Sequence, residues 1–440
     1  MKGPQRVVAA FALVILIGAA LFHLPLCTNG KDVSFVDALF MSTSAVCVTG
    51  LTTVDVGEQL SPSGQFVLLV LFQLGGLGIT TLSTFLLLAA SRASLAHAVE
   101  SGEQLGALRV KPLQLVRWVV LTTVTLEAAG ALILWGRMNG DEGWWSGVFH
   151  SVSAFCNAGF SLHSDSLTSY RSDWVVNFTV MALIVHGGLG FIALRQLVEW
   201  IAARITGKPV RLLLHTRVVL LGSFALWGLG AAMLSWLEWN RTLAGLPSDE
   251  RILAACFQSV SARTAGFNTV DIGALREPTL FFLMFLMFIG GAPGSCAGGI
   301  KVTTAAVVLA ALVARARGRE SVHLLQRTIP RELVRRSFVA MGMAAGMIAL
   351  AIGVLLFSEE GPSTVPRADH LTVVAFEAVS AFGTVGLSTG LTPNLSAIGK
   401  LVLIVCMFVG RLGPLLVALA VLQPRERAGY SYPEEDLAIG

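Results

Sequence analysis

The sequence predicts an all-α polytopic membrane protein. Four fused helix–loop–helix repeats would give eight spanning helices and four re-entrant half-helices around a pseudo-fourfold axis. Three observations predict this. First, the 440-residue chain is 54% hydrophobic and only 13% charged, against about 25% charged in soluble domains. It therefore lacks the polar surface to cover itself in water. Second, long apolar runs recur along it, each near the roughly 20 residues a helix needs to cross a bilayer. Third, one small phrase occurs four times: "STSAVCVTGLTT" from Ser42, "VSAFCNAGFSLHS" from Val152, "SVSARTAGFNTV" from Ser259 and "AVSAFGTVGLST" from Ala378.

The first span is read over Val7–Leu24. Its basic start and apolar middle resemble a secretion signal, but Leu26 ahead of Cys27 leaves no small-residue cleavage site, so a retained helix is expected. The others are Gln65–Ala90, Leu115–Trp135, Trp174–Ile201, Val218–Trp236, an interrupted Leu280–Val313, Val334–Phe357 and Leu401–Leu422. Each phrase falls between the two members of a pair. The unit repeats about every 110 residues, longer than any solenoid repeat. The repeats are placed at 1–105, 106–212, 213–325 and 326–424, with a tail over 425–440. A second echo is a glycine kink in the second helix of each pair: "QLGGLGI" at 73–79, "VHGGLGF" at 185–191, "IGGAPGS" at 289–295 and "VGRLGP" at 409–414.

Lys and Arg set the orientation. They concentrate between repeats: Arg92, Arg109, Lys111 and Arg117; Arg195, Arg204, Lys208, Arg211 and Arg217; and the run from Arg315 to Arg336. Lys2 and Arg6 precede them, and Arg425 and Arg427 follow. Segments inside the repeats are acidic instead, with Asp55, Glu58, Asp141, Glu142, Asp165, Asp173, Asp249, Asp271, Glu359 and Glu360. Both termini are expected to be cytoplasmic, with the phrases entering from outside. The net charge of +4 gives no reason to expect a nucleic-acid partner. The six cysteines fall in no metal-binding spacing, so neither a zinc site nor disulfides are expected.

Each phrase follows a helical stretch of about a dozen residues, too short to span. Non-helical backbone at membrane depth is tolerated only when buried in protein or lining a water-filled cavity. Gly50, Gly159, Gly266 and Gly386 can take positive φ without steric cost. Neighbouring carbonyls can then face one side, where uncharged oxygens replace the hydration shell of a monovalent cation and still release it. Val48, Thr49, Asn157, Ala158, Thr264, Ala265, Thr384 and Val385 would supply further carbonyls. The alternative is that the glycines only permit turns or close packing.

These four phrases resemble the pore-loop signatures of the Trk/Ktr/HKT superfamily of potassium transporters. The likeness covers nearly the whole chain. With eight spans, the chain is most similar to the membrane subunits of bacterial Ktr systems. The resemblance implies a potassium-channel-like fold in the cytoplasmic (inner) membrane, and glycine at all four positions implies potassium permeation. It also implies a gate beneath the filter at "GGAPGSCAGGIKVTT". That segment holds Gly290, Gly291, Ala292, Pro293, Gly294, Ser295, Cys296, Ala297, Gly298, Gly299 and Lys301 inside what would otherwise be one helix, and such glycine and proline density breaks a helix. A static kink is the alternative. Arg411, costly at membrane depth, would raise a barrier to cations in the pore; an ion pair with Glu127 or Glu377 is the alternative. Arg263 and Glu377 are read as braces of the filter, and Lys301 as an anchor of the broken helix.

The resemblance further implies a homodimer on a cytoplasmic ring of nucleotide-binding regulatory subunits of the KtrA/KtrC kind, with K+ carried and Na+ as a possible activator. The basic connectors could meet that ring or anionic membrane lipid. A coupled transporter of another solute and a receptor without transport remain open. No nucleophile, metal cluster or phosphate loop suggests an enzyme.

Overall fold

The computed structural model describes residues 3–30, 33–78, 112–138, 143–207, 209–359 and 370–421. Lys2, Arg92, Arg109, Lys111, Asp141, Glu142, Lys208, Glu360, Arg425 and Arg427 lie outside the described residues. So do positions 79–90 of the second expected span and the tail at 425–440.

The chain runs as helix, buried half-helix, helix, four times over. The first passage is α1 (Gly3–Phe22), α2 (Phe35–Val46) and α3 (Pro62–Gly78). The second is α4 (Pro112–Trp135), α5 (Gly143–Cys156), α6 (Trp174–Gly188) and α7 (Phe191–Ile205). The third is α8 (Leu214–Glu238), α9 (Ser248–Ser261), α10 (Glu277–Phe288) and α11 (Val302–Ala316). A small hairpin, β1 (His323–Leu324) with β2 (Arg327–Thr328), leads to the fourth: α12 (Arg331–Ser358), α13 (His370–Gly383), α14 (Ala397–Leu412) and α15 (Pro414–Val421).

Among the described residues, four helices are long and apolar enough to cross a membrane unbroken: most of α1, most of α4, and α8 and α12. The second members of the pairs are interrupted instead. α6 and α7 meet at 107° and together form a fifth candidate span. Gly190, at φ +80°, makes that corner, and Gly413, at φ +88°, separates α14 from α15. Only the third repeat was expected to carry a true break; the fourth and eighth spans are also two helices each, because these glycines adopt backbone conformations that end a helix.

The half-helices run for 12 or 14 residues and are buried over most of their length. In three repeats a serine fastens the half-helix to the first helix. Ser42 donates to Ile15 O, Ser151 to Glu127 O and Ser259 to Trp227 O, each at 2.7 Å. Three residues beyond each acceptor stands a glycine, Gly18, Gly130 or Gly230, whose missing side chain admits the hydroxyl. The fourth repeat has Ala378 instead and lacks this bond. The second-helix glycines serve the same purpose one layer inward. A methyl on Gly75, Gly187 or Gly410 would strike the carbonyl of Val46, Phe155 or Phe382 near the end of a half-helix.

The four units close into a ring. The second helix of each packs on the half-helix of the next: α6 on α9, α10 on α13, and α14 on α2. Phe72 of α3 meets Phe149 of α5 edge-on at 5.6 Å. The last junction is pinned by Lys400 of α14 and Asp37 of α2 at 2.7 Å, both largely shielded from water.

Gly228 and Gly230 lie two residues apart in α8, yet a methyl at Gly228 meets nothing and one at Gly230 meets Ser259. Gly230→Ala should destabilise the detergent-solubilised protein by about 1–3 kcal/mol through overpacking. Gly228→Ala should be neutral or gain up to about 1 kcal/mol of helix propensity. Equal melting temperatures for the two variants would mean the close approach of α8 and α9 contributes nothing.

Candidate functional site

Each half-helix ends in two left-handed residues separated by one of ordinary φ. The first are Val48 (φ +54°), Asn157 (+58°), Thr264 (+75°) and Thr384 (+48°). The second are Gly50 (+93°), Gly159 (+72°), Gly266 (+80°) and Gly386 (+91°). Such alternation is costly for residues with a Cβ and persists here because the surroundings fix it. Four serines at one position of the phrase hold the turns. Gly50 N donates to Ser44 Oγ at 3.1 Å and Gly386 N to Ser380 Oγ at 3.2 Å. Ser153 donates to Phe160 O at 2.8 Å, and Ser261 to Phe267 O. Glu377 braces the fourth strand, accepting from Ser388, Thr389 and Thr392.

The four segments meet one another in cyclic order. A methyl on Gly50 would lie 3.1 Å from Gly159 Cα; on Gly159, 2.9 Å from Gly266 Cα; on Gly266, 3.2 Å from Gly386 Cα; on Gly386, 3.0 Å from Gly50 Cα. In each case it would also strike the carbonyl oxygen before the neighbouring glycine: Ala158, Ala265, Val385 or Thr49. The twelve residues singled out in the sequence therefore sit together around one axis.

All four glycines line a single cavity of about 300 Å³. Its walls include Asp55 and Asp271, each five residues past its glycine, on the first and third segments. His163 also lines it, stacked on the buried His150 at 5.1 Å and leaning on Tyr170 at 5.5 Å. His150 is neutral by its partners. Its Nδ1 donates to Ser146 O at 2.8 Å, and its Nε2 accepts from Leu162 N at 3.4 Å.

On the opposite side of the glycines lies the loop between α10 and α11. Its ends are joined by Gly290 N to Ile300 O at 2.8 Å and Val302 N to Gly291 O at 3.0 Å. The corner between α6 and α7 grips its tip: Ala292 N and Cys296 N donate to Gly188 O and Gly187 O at 3.0 Å, and Phe191 N to Gly294 O at 3.1 Å. The loop abuts the fourth of these segments, since a methyl on Gly298 would run into the Thr384 side chain. Three cations converge on its carbonyls. Arg263 donates to Gly290 O at 2.7 Å and Lys301 to Ala297 O at 2.6 Å. Arg411, buried at 3% exposure, donates to Cys296 O and, at 3.0 Å, to Gly75 O of α3. Glu127 is occupied by Gln73 Nε2 at 3.1 Å and Glu377 by its hydroxyls, so the two terminal nitrogens of Arg411 bind peptide oxygens rather than a carboxylate, and its Nε is buried without a partner.

Sequence reasoning missed the serine–glycine fastening, because Gly18, Gly130 and Gly230 stand at different distances from their phrases and share only their place three residues beyond the acceptor carbonyl. It missed Gln73 as the partner of Glu127. It also overlooked the paired "TVD" after Gly50 and Gly266, which marks Asp55 and Asp271.

A profile of the TrkH family, described as cation transport protein, matches residues 3–428. The chain is 36% identical to the potassium/sodium uptake protein NtpJ of Enterococcus hirae, over 99% of this chain and 97% of that one. It is also 36% identical to the Ktr system potassium uptake protein B of Bacillus subtilis, over 99% and 96%. The crystal structure of the potassium transporter TrkH from Vibrio parahaemolyticus shares the fold, with a TM-score of 0.74 and 20% identity over 96% of this chain and 85% of that one. The chain therefore belongs to the TrkH family of cation transport proteins.

Proposed function

We propose that this chain carries potassium ions across a bacterial cytoplasmic membrane, through a filter formed by the carbonyls around Gly50, Gly159, Gly266 and Gly386. The observation that carries the reading is the cyclic contact of those glycines at the floor of one cavity. Peptide oxygens bear no full charge, so a dehydrated monovalent cation can bind and still leave. Asp55 and Asp271 raise the local concentration of cations above the filter. The relatives named for potassium and for potassium/sodium uptake support K+ as cargo and leave a role for Na+ as activator.

The loop at 290–301 acts as the gate. It lies against the filter's inner side, and a cation leaving the filter would meet Arg411, Arg263 and Lys301, all held by carbonyls. Arg411 adds an electrostatic barrier and latches the loop to α3. Four repeats, at 1–105, 106–212, 213–325 and 326–424, supply the filter, and both termini lie in the cytoplasm. The chain works as a homodimer on a cytoplasmic ring of nucleotide-binding regulatory subunits, which moves the gate.

Expression together with a cytoplasmic regulatory partner should restore growth of a potassium-uptake-deficient bacterium at low K+; no rescue would count against the cargo. Gly50→Ser forces a Cβ onto φ +93° and against Ala158 O, a strain of about 1–3 kcal/mol. Its K+-over-Na+ preference should fall by about tenfold or more, measured as Na+ competition with 86Rb+ uptake. An unchanged preference would remove Gly50 from the filter.

Arg411→Ala takes away both the barrier and the latch. Proteoliposomes bearing it should leak 86Rb+ severalfold faster than the parent without any regulatory partner. Equal leak rates would leave Arg411 a purely structural role.

Burial lowers the pKa of His163 below the usual histidine value, opposed by nearby Asp165. The other groups facing it are His150, Tyr170 and, across the cavity, Asp55 and Asp271. His163 therefore gains its proton at lower outside pH than an ordinary histidine. That places positive charge at the entrance, so uptake should drop severalfold at acidic external pH. His163→Gln should flatten this profile while leaving uptake at pH 8 unchanged; the same acid sensitivity in the variant would acquit His163.

A further inference from the structure

The connector after α11 folds back on that helix. Val322 and Ile329 pack against Val307, Ala311 and Ala314, and Ile329 N bonds Val322 O at 2.9 Å. This leaves a groove of about 280 Å³ along α11, floored by Ala306, Leu309, Ala310 and Val313. Leu309 and Leu312 beside it are 64% and 54% exposed, as side chains facing hydrocarbon are. Arg317, Arg319, Ser321 and His323 line its other end. His323 is held by Ser321 Oγ at 2.9 Å and Thr328 Oγ1 at 3.1 Å.

The dimensions and the charge agree on one occupant. From Ala306 to the helix end at Ala316 the rise is about 15 Å, matching the roughly 15 Å depth of one leaflet. The apolar floor then lies at acyl-chain depth and the arginines at headgroup depth. Among the described residues no Asp or Glu lines the groove, and neither arginine has a carboxylate partner. The nearest acid in sequence, Glu320, turns to Arg331 at 3.9 Å. Between 315 and 336 the chain carries seven arginines against two glutamates.

We propose that this groove is a binding site for an anionic phospholipid, with an acyl chain along α11 and the phosphate between Arg317 and Arg319. Basic pockets at a membrane face select anionic headgroups in this manner. The groove shares no lining residue with the cavity over the glycines and is independent of what the filter passes.

Native mass spectrometry of the detergent-purified protein, with phosphatidylglycerol or phosphatidylcholine added, tests it. The parent should retain phosphatidylglycerol preferentially, and R317Q/R319Q should lose about tenfold of that preference. Both arginines are on the surface, so the melting temperature should not change. Ala310→Trp fills the groove with both charges in place and should also lower retention. Equal retention of the two lipids by the parent overturns the proposal, as does an unaltered preference in R317Q/R319Q or unaltered retention in Ala310→Trp. If R317Q/R319Q instead loses a cytoplasmic protein partner while keeping its lipid preference, the basic end serves a protein and the lipid assignment falls.

Discussion

The structure depends on the close approach of four stretches of backbone around one axis. At Gly50, Gly159, Gly266 and Gly386 there is no room for a single further carbon, because each would strike the carbonyl oxygen of its neighbour. Bringing peptide oxygens together in this way is unfavourable by itself, since like dipoles repel. The rest of the molecule holds them there. The half-helices stop short so that their ends converge. The serines at 44, 153, 261 and 380 fix the turns. Glycines in the flanking helices let the surrounding wall close in, and the ring of second helix on next half-helix leaves no free edge.

Much of this was legible in the sequence, for a physical reason. Segments that approach this closely tolerate almost no side chain, so the glycines recur at each copy. A re-entrant helix must be short, so the apolar stretches before the phrases are too brief to span. The half-helix "FVDALFMSTSAV" was read from the sequence with the bounds it has as α2. The breaks at Gly190 and Gly413 were not legible as breaks. A glycine pair in an apolar run reads equally as a close contact, and only the φ values of +80° and +88° distinguish the two. The partners of Arg411 were hidden for another reason. A cation looks for a carboxylate in sequence reasoning, whereas here peptide carbonyls of a distant loop and of α3 do the same work.

The fourfold pattern departs furthest in the third repeat. Its phrase is one residue shorter between serine and glycine, "SARTAG" against "SAFCNAG", and an arginine occupies the shortened turn. Arg263 then reaches Gly290 O, whereas Gly75, Gly187 and Gly410 press directly on half-helix carbonyls. The second helix of this repeat opens into the loop at that contact. The symmetry of the four glycine segments and the asymmetry beneath them thus meet at one contact, that of Arg263 with Gly290 O.

On the proposed reading, this asymmetry is what allows control. Four equal second helices would have no part that could move without disturbing the filter. A loop attached through main-chain bonds to Gly187 and Gly188 and through one arginine to α3 has a small number of bonds to exchange. Arg411 spans both attachments, since its two amino groups bind Cys296 O on the loop and Gly75 O on the wall. Withdrawing the loop would leave that guanidinium with one partner lost in a buried site, a penalty of about 1–3 kcal/mol or more for a charged group. That is within reach of ligand binding by a regulatory assembly, for which coupling of about 1–3 kcal/mol is ordinary. The latch is therefore strong enough to hold the closed position and weak enough for an attached partner to release.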